Sequence, residues 1–297
     1  MRLPAANRAI THIFLLLTIL GILLIGRSEA KPPPLGFGVA VGYELGGERE
    51  LDLLGTGWYF DYDFRGEALG NRRRLFTASS HANLKSVAEV ARRWRGEWWQ
   101  FGNEPNDPNQ DDISPAEYAS RYHVFYNALK AEDGSARVLP AGIADADWKW
   151  ADAFRESYHS QFGRYPSVDG WNIHNYLLET CEGALDVAAF QARILAFRHW
   201  MTRVGEGSKP LFLTEYGVLY GNGRCGCPLI RSSQVVTYMQ TTTQWLIETG
   251  LVQGWAWFAL SSSGRYNGDL FTADMTLTEV GGAYRDMIHA TGNRSGR

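Results

Sequence analysis

Cysteine is scarce in this chain of 297 residues: Cys181, Cys225 and Cys227 are all it has. No Cys/His spacing matches a zinc site, which removes a zinc centre as the organising feature. Net charge is nearly absent as well, at −3 with both signs interspersed. Such a balance leaves no electrostatic footprint for a nucleic-acid partner, and the short basic run Arg72–Arg74 reads as a solvated turn face. No G-x-G-x-x-G or phosphate loop follows the first predicted strand, which counts against a nucleotide-binding sheet. The stretch Asp107–Asp112 has oxygen ligands but lacks the glycine and terminal glutamate of a calcium loop, so it reads as a plain loop. No His/Asp ligand cluster at strand ends supports a metal-dependent hydrolase, and neither a metal nor an organic cofactor is expected.

Long apolar runs are also missing. The one unbroken run, Ile13–Ile25, follows Arg2 and Arg8 and is short for a membrane span but normal for the core of an export signal. Ser28-Glu29-Ala30 supplies small residues for a cleavage site, while Arg27 sits awkwardly close to it. Residues 1–30 are therefore read as a signal peptide or an uncleaved N-terminal anchor, 31–34 as a stiff Pro-rich linker, and 35–293 as the folded domain. No cysteine follows the run, which argues against a lipoprotein. The expectation is a secreted or cell-surface monomer, touching a membrane only through an uncleaved segment. In an exported chain Cys181 is expected to bridge to Cys225 or Cys227, which lie too close together to bridge each other easily.

Aromatic residues, by contrast, are plentiful: 13%, including 11 Trp and 14 Tyr, within an apolar fraction of 45%. Most must pack a core. Trp and Tyr also offer wide apolar faces with polar edges, the surface on which a sugar ring stacks. Along the chain, strands are predicted at Gly36–Val41, Thr56–Tyr62, Leu75–Ser79, Glu97–Asn106 with a polar cluster at its end, Val138–Ile143, Val168–Tyr176, Leu211–Tyr216 and Val252–Leu260. Helical spacing falls between most of them. Ser114-Pro115-Ala116-Glu117 is a strong helix start, with Tyr118, Tyr122, Phe125 and Leu129 on one face. Asp186 caps a long helix buried through Phe190, Ile194, Phe197 and Met201. The strands are continuous apolar runs, the mark of burial on both faces in a parallel sheet covered by helices. Eight such units in about 260 residues predict a single-domain α/β fold, a (β/α)8 TIM barrel; an open doubly wound sheet is the alternative.

In a barrel, the C-terminal strand ends face the active site. The fourth strand ends in Asn103 and Glu104, the sixth in His174, Asn175 and Tyr176, and the seventh in Glu215. The eighth carries Trp255 and Trp257, and the second offers Trp58, Tyr59 and Asp61. Glu104 and Glu215 are the two glutamates that end strongly apolar strands. Glycoside hydrolysis needs such a pair, one carboxyl protonated and one ionised. Either glutamate alone would more often be a solvated or ion-paired residue; together on facing strands they point to catalysis. His174 is as readily a satisfied core histidine as a site residue. Trp255 reads as core if Trp257 faces the site, and Trp98 and Trp99 read as packing.

The Asn-Glu-Pro at 103–105 and the Thr-Glu-Tyr-Gly at 214–217 resemble the signature of clan A glycoside hydrolases. The GNEPN stretch and the aromatic second strand are similar to families 39 and 128, the latter including endo-β-1,3-glucanases. The resemblance covers Leu35 to about His289. It implies a retaining enzyme on a (β/α)8 barrel, with Glu104 as acid/base and Glu215 as nucleophile. It further implies Asn103 as the amide that binds the sugar 2-hydroxyl, and Tyr176 or His174 as the polar neighbour of the nucleophile. Trp257 would floor the cleavage subsite. Short early helices and the lack of a clear arginine on the second strand depart from the clan. The expected function is retaining hydrolysis of a polysaccharide or oligosaccharide, with β-glucan a candidate; the rival is a non-catalytic carbohydrate-binding protein on a degenerate barrel.

Overall fold

The computed structural model describes residues 35–42, 47–220 and 227–292. The expected export signal or anchor, the Pro-rich linker and Cys225 lie outside these residues. Eight strands form one sheet: β1 (Gly36–Ala40), β2 (Trp58–Phe60), β3 (Arg73–Ala78), β4 (Trp98–Asn103), β5 (Arg137–Gly142), β6 (Trp171–Asn175), β7 (Leu211–Tyr216) and β8 (Gly254–Phe258). Among the described residues seven α-helices are interleaved: α1 (Glu48–Leu54), α2 (Leu84–Arg93), α3 (Pro115–Glu132), α4 (Trp148–Phe162), α5 (Val187–Arg203), α6 (Ser232–Thr249) and α7 (Glu279–Gly292). The strand order is β5-β4-β3-β2-β1-β8-β7-β6, and every ladder in it is parallel. The two ends meet at a parallel bridge between Ile143 and Ile173, flanked by His174 N–H donating to the Ile143 carbonyl at 2.9 Å. The sheet is a near-closed (β/α)8 barrel, not an open doubly wound sheet.

Local chemistry explains the elements. Ser114 Oγ caps α3 by accepting from Glu117 N–H at 3.2 Å, with Pro115 at the first helical position. Glu117 does not reach back to the cap; its carboxylate takes Arg121 at 2.6 Å instead. Asp186 caps α5 through Ala189 N–H, and Phe190, Ile194, Phe197 and Met201 are buried against the sheet. The β2–β3 connection has no helix. β3 begins two residues before the predicted start because Arg74 is buried, donating to Asp61 at 2.7 Å and lying 4.9 Å over the Phe76 ring. The basic run is thus no solvated face: Arg72 is tied to Asp52 and to the Thr56 carbonyl.

The barrel interior has two storeys. The lower one is apolar: Trp58, Phe60, Leu75, Trp98, Leu139 and Phe212 form one buried cluster. Gly38 makes room for it, since a Cβ there would lie 2.3 Å from the Trp58 indole. Above it, on the same inward faces, come Gln100, Asn172, Thr214 and His174, all fully buried. The larger core lies outside the sheet, between strands and helices.

Candidate active site

The upper storey opens at the C-terminal strand ends, where Glu104, His174 and Glu215 converge. One oxygen of each glutamate and one ring nitrogen of His174 lie within 4.8 Å of one another. Glu104 follows β4 in the left-handed backbone region (φ 43°), after Gly102 at φ 88°. That conformation costs a residue with a side chain about 1–2 kcal/mol. It is held by Glu104 N–H donating to the Gly142 carbonyl at 3.0 Å and Asp107 N–H returning to the Glu104 carbonyl at 3.0 Å. On β7, regular alternation would send Thr214 and Glu215 to opposite faces. A register shift between Leu213 and Tyr216 breaks it, and both residues meet His174. Bulges of this kind re-aim side chains at barrel rims.

Glu215 is nearly enclosed. Tyr62 donates to Oε1 at 2.5 Å and Tyr176 to Oε2 at 2.8 Å. Burial raises its pKa above the ordinary carboxylate value; the His174 charge and the two tyrosine hydrogen bonds pull against that rise, and the charge of Glu104 adds to it. Tyr176 stays protonated, because burial and the facing Glu215 charge push its hydroxyl far up. His174 Nδ1 lies 2.8 Å from Glu104 Oε1 and 3.5 Å from Glu215 Oε2, and Nε2 lies 3.0 Å from Thr214 Oγ1. Burial alone would lower the imidazole pKa, but the charge of Glu215 and the hydrogen bond and charge of Glu104 together raise it. The ring rests against Gly142, where a Cβ would stand 2.0 Å from Nε2. Glu104, His174 and Glu215 are close enough to share a cation, yet both His174 nitrogens are engaged in hydrogen bonds, so a ligand lone pair would have to be taken from that network.

The expected site residues divide. Glu104, His174, Tyr176 and Glu215 are brought together. Asn103 stands beside them at the rim; its Nδ2 donates to Gln110 at 3.3 Å, and its buried Oδ1 has no partner among the described residues. Trp58 and Trp257 are corrections. Trp58 packs low in the barrel, its Nε1 donating to the Gly36 carbonyl at 3.1 Å. Trp257 is 0% exposed on the outer face of β8, against Tyr216, with Nε1 on the Gly268 carbonyl. Trp255 shares that outer core, as residues two apart on a strand must. The β8 aromatic over the mouth is Phe258, partly exposed and edge-on to Tyr176 at 5.9 Å.

Tyr62, Phe258 and Arg193 were not anticipated. Tyr62 lies two residues past the end of β2 and reaches Glu215 from 153 positions away; the aromatic run at 58–62 was its only signal. Arg193, on α5, donates to the Tyr176 carbonyl, to Asp145 at 3.0 Å and to Glu179. It pins the loops after β5 and β6 around the mouth. A disulfide joins Cys181 to Cys227, tying the β6–α5 loop to the β7–α6 loop, which resolves the pairing left open between Cys225 and Cys227.

A parallel eight-stranded barrel with two buried glutamates facing each other at its C-terminal mouth defines a glycoside hydrolase. The family model described as the glycosyl hydrolase catalytic core matches residues 55–284, and the chain belongs to that family. No curated protein sequence matches it. Among solved structures it is similar to a family 128 (subgroup I) endo-β-1,3-glucanase from Amycolatopsis mediterranei in complex with laminaritriose. That match has TM-score 0.65 and 20% identity, covering 85% of this chain and 99% of the other. A subgroup II endo-β-1,3-glucanase from Sorangium cellulosum gives 0.62 and 19%, over 84% and 97%. A subgroup III curdlan-specific exo-β-1,3-glucanase from Blastomyces gilchristii gives 0.63 and 17%, over 85% and 99%. At these identities the likeness is one of fold.

Proposed function

We propose that this glycoside hydrolase cleaves β-glucan, with β-1,3-linked chains as the first substrates to test, by double displacement with retention. One observation carries the mechanism: a Glu104 oxygen and a Glu215 oxygen lie within 4.8 Å. Retaining enzymes hold their carboxyls about 5–5.5 Å apart, whereas inverting ones need about 6.5–9.5 Å to admit a water. In this reading Glu215 is the nucleophile. Its two tyrosine donors and the neighbouring imidazole favour the ionised form. Glu104 protonates the leaving oxygen as Glu215 bonds to the anomeric carbon. Glu104 then takes a proton from water, whose oxygen displaces Glu215. The unpartnered Oδ1 of Asn103 accepts from a sugar hydroxyl, and Phe258 offers the apolar face at the cleavage subsite. The glucan assignment draws support from the three β-1,3-glucanases of the same fold.

Export is part of the same reading, and the Cys181–Cys227 disulfide supports it, since such bonds persist in oxidising compartments. The test is proton NMR of fresh hydrolysis products from a β-1,3-gluco-oligosaccharide. β-anomer as first product is expected. α-anomer as first product would remove the nucleophile role of Glu215, and no turnover on any β-glucan would remove the substrate assignment.

A further inference from the structure

Below the carboxylates runs a chain of buried hydrogen bonds that the reaction, as proposed, does not use. It begins at the carbonyl of Gly102, which can only accept. Gln100 Nε2 faces that carbonyl at 3.5 Å, so its Oε1 faces Asn172 Nδ2, 2.7 Å away. Asn172 must then turn Oδ1 to Thr214, whose hydroxyl donates to it at 2.9 Å. With its single proton committed, Thr214 Oγ1 can only accept from His174 Nε2 at 3.0 Å. The chain crosses the barrel from β4 to β6 to β7 and back, and all four side chains are fully buried. Its direction dictates that His174 carries a proton on Nε2.

The consequence falls on Nδ1, 2.8 Å from Glu104 Oε1. A neutral ring with its proton on Nε2 would turn a lone pair toward Glu104. The carboxyl would then aim its proton at the imidazole, away from a leaving group. A doubly protonated ring donates to Oε1 and leaves Oε2, which takes no hydrogen bond among the described residues, to deliver and retrieve the substrate proton. Charged groups facing the ring are Glu104 from the end of β4 and Glu215 from β7. β5 contributes only the bare backbone of Gly142, and from β6 Asn172 enters through Thr214 and Tyr176 through Glu215. Of these two carboxyls one is ionised at every stage of the proposed reaction, and with no basic neighbour among the described residues a cation is favoured.

We propose that His174 works as an imidazolium throughout turnover, and that Gln100, Asn172 and Thr214 are positioning residues that fix its Nε2 proton. This rests on the double-displacement reading above. Glu104 Oε2 gives its proton to the glycosidic oxygen in the first half-reaction and regains one from water in the second. His174 keeps both protons and remains the counter-charge between the two glutamates.

The experiment is ¹⁵N NMR of the whole chain labelled in histidine, with the His174 signals identified by their loss in His174→Asn. Two protonated ring nitrogens are expected across the neutral pH range. A neutral ring in that range would overturn the proposal. Thr214→Val should move His174 deprotonation to lower pH by about one unit, a tenfold change in proton affinity, with the alkaline limb of kcat/KM following it down. Thr214→Ser should restore both. If Thr214→Val lowers activity evenly at all pH and leaves the His174 titration in place, the chain is merely structural and the proposal falls. The protonation of His174 is read without substrate, so absence of glucan hydrolysis would defeat the proposed function while leaving this result standing or falling by itself.

Discussion

The two storeys of the barrel interior differ over a single step along each strand. On β4, Trp98 belongs to the lower cluster and Gln100, two residues on, to the polar chain. On β7 the same step leads from Phe212 to Thr214. The lower storey needs only volume, and its side chains supply it, each contributing roughly 1.5–3 kcal/mol by leaving water. The upper storey buries amides, a hydroxyl, an imidazole and two carboxylates, groups that cost free energy unless every one is paired. Shape alone specifies the first layer, whereas hydrogen-bond direction specifies the second. A substitution below should therefore register as stability, and one above as chemistry.

The largest effect expected is from Glu215→Ala. Turnover of a β-1,3-gluco-oligosaccharide should fall beyond the roughly 10²–10⁴-fold typical of losing a general acid, while oligosaccharide binding survives in calorimetry. Normal turnover would end the contrast between the storeys. Phe212→Ala, one step below Thr214, should cost about 3–5 kcal/mol in urea unfolding and leave kcat per folded molecule unchanged; a selective loss of kcat would show that the layers are coupled. Tyr62→Phe removes one donor to Glu215. A hydrogen bond to a charged group is worth about 1.5–3 kcal/mol, so kcat/KM should fall roughly 10–100-fold. That hydrogen bond lowers the Glu215 pKa, so its loss should shift the acid limb of activity to higher pH, a sign that a pH–rate profile checks directly.

The smallest effect concerns stability. Burial holds Glu215 protonated to higher pH in the folded chain than in the unfolded one. Its contribution is complete below the unfolded value, about 4.3, and is lost as pH rises through the folded value. Glu215→Gln should therefore melt with the parent near pH 4 and above it at neutral pH, by a margin that grows with pH. Equal melting at all pH would mean that the upper storey bears no electrostatic cost.

What could be read from the sequence follows the same division. Continuous apolar runs gave away all eight strands and the parallel barrel, since burial on both faces leaves that pattern and little else does. The same continuity hides which face is which. In Gly254–Phe258 nothing alternates to mark the inward face, so nothing in the segment corrected the resemblance that put Trp257 at the mouth, where Phe258 stands, one residue and one face away. Thr56–Tyr62 was equally mute: Trp58 went down into the barrel, and Tyr62, beyond the end of a three-residue strand, took the place at Glu215. Arg74 looked solvated because its partner Asp61 comes from the neighbouring strand's end. That Glu104 and Glu215 would meet at the mouth could be read, because an acid ending an apolar strand stands out against its own segment. The polar chain could not, as Gln100, Asn172 and Thr214 gain meaning only from one another across 114 positions.

Gly142 contributes no side chain to any of this, yet a methyl group there would occupy the space of the His174 ring. The barrel mouth is consequently most fragile to addition. Trimming a rim residue such as Gln110 removes one replaceable contact, whereas the smallest enlargement at Gly142 displaces the imidazole on which both glutamates converge. For anyone redesigning this enzyme, the position to leave untouched is one that a catalogue of contacts would pass over as empty.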